Sequence, residues 1–131
     1  MMRVARSWAL AVGLLTGACS APGSRSEEAA TSDPAGLAAL ERAARSLAKT
    51  EGCGSTDACR TAPVGWKACG GPRDYVVYCA ATTDSAALYR KLDELKAAEM
   101  EYLRKTGAAS DCMFRTPPNV AAQGGSCRQV P

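Results

Sequence analysis

The sequence predicts an α+β domain, small and stapled by disulfides. Three observations carry that reading: two stretches with apolar residues at helical spacing, two β-rich segments around Gly70-Gly71-Pro72, and six cysteines between Cys53 and Cys127. Trp66, Tyr75, Tyr78, Tyr89, Tyr102 and Phe114 are the aromatic residues of this part, and alanine supplies much of its remaining apolar content. Such a core buries little area. Three disulfides, each worth about 2–4 kcal/mol, together matter as much as packing.

The first helix is read near 34–51. Asp33-Pro34 places an N-cap acceptor before a proline whose missing amide hydrogen is not needed at that position. Leu37, Leu40, Ala44 and Leu47 recur on one face, and Gly52 supplies the stop. Glu41, Arg42, Arg45 and Lys49 fall on other faces and read as solvated. The second helix runs from an Asp84 cap to Gly107, with Leu88, Leu92, Leu95 and Tyr102 along one side. Arg104 and Lys105 sit where the helix macrodipole favours cations, and Glu101 pairs with Lys105 four residues on. Glu99 falls beside the apolar stripe and reads as an edge residue reaching water.

Between the helices, Val64 to Cys69 and Tyr75 to Cys79 read as the strands of a hairpin closed by Gly70-Gly71-Pro72-Arg73-Asp74. Phe114 with its neighbours and Cys127 to Val130 suggest a second extended pair, around Pro117-Pro118-Asn119 and Gly124-Gly125. The prolines confine those segments to edges or irregular loops.

The six cysteines Cys53, Cys59, Cys69, Cys79, Cys112 and Cys127 are disulfide candidates. In the expected hairpin register Cys79 lies opposite Gly65, which leaves Cys69 and Cys79 about 13 Å apart along the ribbon. A disulfide tolerates about 7 Å between Cα atoms, so that pair is disfavoured. Cys53–Cys59 and Cys112–Cys127 are economical local closures. Together they would leave the disfavoured pair, so at least one is wrong, and Cys59 joined to Cys79 is the preferred alternative.

Histidine is absent. That removes Ser-His-Asp and Cys-His catalysis and imidazole metal sites together. The cysteine spacings are wider than zinc knuckles require, and no helix start or P-loop lysine follows Gly70-Gly71. No catalytic residue, metal or cofactor is implied. Asp57, Asp74 and Asp111 lie in loops as turn-type residues; a carboxylate-based hydrolase, the remote enzymatic alternative, would need two of them to converge. The net charge is +3, and Arg3 and Arg6 contribute two of those charges from the N-terminal segment. The body is thus near neutral, which argues against nucleic-acid binding.

At the N-terminus, Arg3 and Arg6 precede an apolar stretch from Trp8 to Leu15, followed by Thr16-Gly17-Ala18-Cys19. The stretch is too short to span a bilayer, which takes about 20 apolar residues. This arrangement resembles the signal peptide of bacterial lipoproteins, although Thr16 stands where that family usually has leucine. The resemblance implies removal of residues 1–18 and a diacylglyceryl group on the Cys19 sulfur, which ties the chain to a membrane. Ser20 after the modified cysteine favours the outer membrane of a Gram-negative envelope. An ordinary secretory signal fits the same small residues, and either one exports the chain. Residues 19–32 read as the anchor and a flexible tether, and 33–131 as one domain. In an oxidising compartment the remaining six cysteines become three disulfides.

Cys69-Gly70 through Tyr75 to Cys79, with two cysteines upstream and a helix after, is faintly similar to Kazal-type protease inhibitors. The Cys-to-Tyr spacing is one residue short, the helix lacks a cysteine and Cys112 comes late, so no inhibitory residue carries over. The expected function is that of a membrane-anchored envelope lipoprotein whose non-enzymatic domain binds an envelope protein or a cell-wall component. Its candidate surface is Trp66, Gly70, Gly71, Pro72, Arg73 and Asp74, with a core position the plainer reading of Trp66. The alternative is an inhibitor of a protease or lysozyme reaching the periplasm, recognisable by an exposed, disulfide-braced loop.

Metabolic palmitate labelling is expected to mark the intact protein and to vanish in Cys19→Ser, while thiol titration of the denatured, exported protein finds no reduced sulfur.

Overall fold

The computed structural model describes residues 33–131; the leader, Cys19 and the tether lie outside the described residues. Two helices, α1 (Pro34–Leu47) and α2 (Ser85–Thr106), accompany two antiparallel hairpins, β1 (Cys59–Val64) with β2 (Asp74–Cys79) and β3 (Val120–Gln123) with β4 (Ser126–Gln129). This is a disulfide-stapled α+β domain. Among the described residues no helix is long and apolar enough to cross a membrane.

Both helix starts form as their caps dictate. The Asp33 carboxylate accepts the Gly36 N–H at 2.6 Å, and that of Asp84 accepts the Ala87 N–H at 3.0 Å. Helix α2 stops at Gly107, whose φ of 64° is the left-handed conformation that ends a helix at low cost in glycine. Helix α1 ends at Leu47, short of the expected residue 51. The chain beyond it serves the hairpins instead: Lys49 carbonyl accepts the Cys79 N–H at 2.7 Å, Thr50 carbonyl accepts the Cys127 N–H at 2.9 Å, and Glu51 bridges to Ser126.

The first hairpin differs from expectation. Its leading strand is Cys59–Val64, not Val64 to Cys69, and Cys79 lies opposite Cys59. Pro63 argues against a strand by sequence, but in a two-stranded sheet both strands are edges, where a missing N–H is harmless. The connection thereby lengthens to run from Gly65 to Arg73. In the second hairpin the Gly124-Gly125 turn is as expected, whereas Phe114 lies outside it, in an irregular run that precedes β3.

The β1–β2 hairpin is the middle layer. Ala62, Val64, Val76 and Tyr78 on one face pack with Ala44, Leu88, Leu92 and Leu95 of the helices. On the other face Cys59, Val77 and Cys79 meet Cys53, Cys127, Val120 and Ala122. The disulfides are Cys53–Cys79, Cys59–Cys127 and Cys69–Cys112, with Cα separations of 5.7, 5.5 and 5.4 Å. The expected Cys59–Cys79, Cys53–Cys59 and Cys112–Cys127 links are therefore incorrect. Cys59 and Cys79, directly opposed, both point beneath the sheet, where the segment after α1 brings Cys53 and β4 brings Cys127. Cys69 and Cys79 are unpaired with each other, as expected, although the register behind that expectation is wrong.

Glu99 is buried, not an edge residue. One carboxylate oxygen accepts the Trp66 N–H and the other accepts Arg73 Nε at 2.9 Å. Both groups pass over Gly65, whose φ is +69°; a Cβ there would collide with Glu99 Oε2 and sit 2.7 Å from Arg73 Nε. Arg73 also binds Glu41, Glu41 binds Arg45 at 2.8 Å, and Arg45 binds Asp74 at 2.6 Å. The face of α1 read as solvated thus carries half of a charge network that clamps the hairpin connection to both helices.

Removing one member of a buried charged pair leaves the other desolvated. Glu99→Ala is expected to lower the unfolding free energy by about 3 kcal/mol in urea titration, whereas Glu94→Ala on the exposed side of α2 changes it by less than about 0.5 kcal/mol.

Candidate functional site

The run from Gly107 to Asn119 has neither helix nor strand, yet it is fastened along its length. Cys112 is bonded to Cys69 in the first hairpin's connection. Lys67, in that same connection, is buried, and its ammonium donates to Asp111 Oδ1 at 3.1 Å and to the Met113 carbonyl. Tyr75 Oη donates to the Arg115 carbonyl at 3.3 Å, and Arg115 Nη2 reaches Asp111 Oδ2 at 3.4 Å. Downstream, the Val130 N–H closes on the Asn119 carbonyl at 3.0 Å.

Between these fastenings two large apolar side chains face water. Phe114 is 86% exposed and Met113 65% exposed. Burying an aromatic side chain stabilises a protein by about 1.5–3 kcal/mol, so an outward Phe on a held backbone leaves a substantial contribution unused.

Behind the loop lies an open cleft of about 380 Å³, walled by Leu37, Trp66, Glu99, Tyr102, Leu103 and Ala109. Lys67, Arg73, Asp111 and Arg115 stand on its rim, each already in an ion pair. Ser110 Oγ, buried without a hydrogen-bond partner, also lines it. Trp66 is half-buried, shared between this cleft and a second cavity beside Pro72 and Tyr89, with Lys96 Nζ 4.5 Å from its ring centroid.

The residues singled out by sequence separate into two groups. Gly70 and Gly71 form the tip of the connection, where the Lys67 carbonyl accepts the Gly70 N–H at 2.9 Å and the Gly71 carbonyl accepts the Lys67 N–H at 3.0 Å. Arg73 binds Glu99 and Glu41, and Asp74, itself exposed, binds Arg45. Asp57, Asp74 and Asp111 lie on three different elements, and Asp111 alone of them lines the cleft. The sulfurs of Cys53, Cys59 and Cys127 lie within 4.8 Å of one another, but all three belong to disulfides, and a metal ligand must be a thiolate.

Sequence reading missed Lys67, Met113, Phe114 and Arg115 as site residues. The available signal was bulky side chains held between a cysteine and the Pro117-Pro118 pair.

The ion pairs set the acid response. A hydrogen bond from Lys67 and the charges of Lys67 and Arg115 hold the Asp111 carboxyl below the usual aspartate range. Burial pushes the carboxyls of Glu41 and Asp74 up, but hydrogen bonds and charges from Arg73 and Arg45 outweigh it and leave both lowered. All three carboxylates stay ionised at neutral pH.

Comparison with known proteins names no relative for this arrangement: no protein-family model matches the chain, and no curated protein or solved structure matches it.

Carboxyls lowered by folding add stability that is complete above their unfolded pKa and lost as pH falls through and below it. Urea midpoints are expected to be level from neutral pH to about 5 and to fall below about 4. In Lys67→Met the decline is shallower, because Asp111 loses the largest of the interactions that lower it and keeps the weaker ones from Arg115 and the Met113 backbone.

Proposed function

We propose that this chain is an exported, lipid-anchored envelope protein that works by binding, and that its binding surface is the loop from Cys112 to Pro118. The observation that carries this reading is Phe114, 86% exposed on a backbone fastened to the body on both sides. A partner that buries this ring recovers the transfer free energy that folding leaves unused, and the chain loses little entropy in presenting it. The reading moves the binding surface from the tip at Gly70 and Gly71 to the segment that the tip supports.

The anchor reading rests on Arg3, Arg6 and the small residues before Cys19. A lipid on Cys19 and the tether to Ser32 would hold the domain near the membrane. The partner is then another macromolecule of the envelope.

A photoreactive benzophenone amino acid in place of Phe114, in the full-length protein in cells, is expected to give a discrete covalent adduct. The same group in place of Ala97, on the exposed side of α2, is expected to give none. Equal labelling at the two positions, or none at either, would overturn the reading.

A further inference from the structure

We infer that the loop is a substrate-like plug for a serine protease, with Phe114 entering the pocket that selects the residue before the scissile bond. This inference rests on the reading above that the loop is the binding surface, and it adds the partner's class and the residue that selects it.

A protease of this type recognises an extended strand, takes one side chain into a specificity pocket and seats that residue's carbonyl in an oxyanion hole. The loop offers those features together. Thr116 and Pro117 each precede a proline, which forces them into extended backbone. The carbonyls of Met113 and Arg115 are both bound to the body, by Lys67 and Tyr75. Among the described residues neither the Phe114 carbonyl nor the Phe114 N–H makes a hydrogen bond, which leaves both groups open to a protease. The aromatic ring suits the hydrophobic slot of a chymotrypsin-type pocket.

Inhibition rather than consumption requires that the pieces stay in place if the bond is cut. Attack by the protease serine on the Phe114 carbonyl forms an ester to the serine oxygen and frees the Arg115 amino group, which takes up the serine proton through the protease's base; water would complete the cut by replacing the serine and leaving a carboxylate on Phe114. The piece ending at Phe114 holds its new end through Cys69–Cys112 and through Lys67 on the Met113 carbonyl. The piece beginning at Arg115 is joined to it by Cys59–Cys127. Neither new end diffuses from the protease, so the amine is positioned to attack the acyl group again, expelling the serine oxygen and re-forming the peptide bond. Lys67 is a positioning residue here. A membrane wedge is the competing use of Met113 and Phe114, but a wedge needs apolar area and not a backbone fixed on both sides of one residue.

The test uses the full-length protein in detergent against chymotrypsin and trypsin with chromogenic peptide substrates. Expected are stoichiometric inhibition of chymotrypsin, a loss of at least about 30-fold in Phe114→Gly, and transfer of inhibition to trypsin in Phe114→Lys. In Lys67→Met, cleavage at Phe114–Arg115 is expected to accelerate more than initial binding weakens. Rapid cleavage without inhibition, or inhibition indifferent to residue 114, overturns the inference. So does a Phe114→Gly variant whose only loss is partition into phosphatidylglycerol vesicles. A failed protease assay with the Phe114 photoadduct still present removes this inference alone; loss of both removes the binding reading as well.

Discussion

One carboxylate fixes the path of the connection between the strands of the first hairpin. Glu99 projects from the fifth turn of α2, is almost completely buried, and binds the Trp66 N–H on one side and the Arg73 guanidinium on the other. A charge in that position is tolerated only because both oxygens are occupied, and its partners are consequently fixed. Gly65 leaves the room they need. With Trp66 and Arg73 held, the intervening connection has a defined path, and that path decides where Lys67 and Cys69 meet the segment at Asp111 to Met113.

Around that clamp the domain divides its stability between two chemistries. On one face of the β1–β2 hairpin a small aliphatic core of leucine, valine and alanine joins both helices, with Tyr78 its one aromatic ring. On the opposite face two disulfides replace the core that a chain of this size does not build, tying the second hairpin and the end of α1 to the sheet. The third disulfide stabilises neither layer directly. It restrains a loop, and that restraint is what the proposed binding role would need if association is not to lose its free energy to ordering.

Legibility in the sequence followed the range of the interactions involved. The caps at Asp33, Asp84 and Gly107 are satisfied within a few residues, so the ends they set were readable to the residue. The end of α1 was not, because Lys49 and Thr50 bond to Cys79 and Cys127 from distant parts of the chain. β1 contains Pro63, whose cost depends on whether the strand is an edge, and strand count is not a local property. Glu99 and Glu41 looked solvated because helical spacing records which residues are apolar, not which charges find a buried partner.

The site was the least readable part. Phe114 read as a strand residue because aromatic rings favour sheets, and nothing in its neighbourhood announces that Lys67 and Tyr75 hold the backbone on either side of it. What the sequence alone determined is the chain's composition of parts: two capped helices, turns at glycine pairs and enough cysteines for three crosslinks. Only the tertiary structure decided which cysteines meet, which charges are buried and which aromatic residue is turned outward, because each is settled by contacts between segments far apart along the chain.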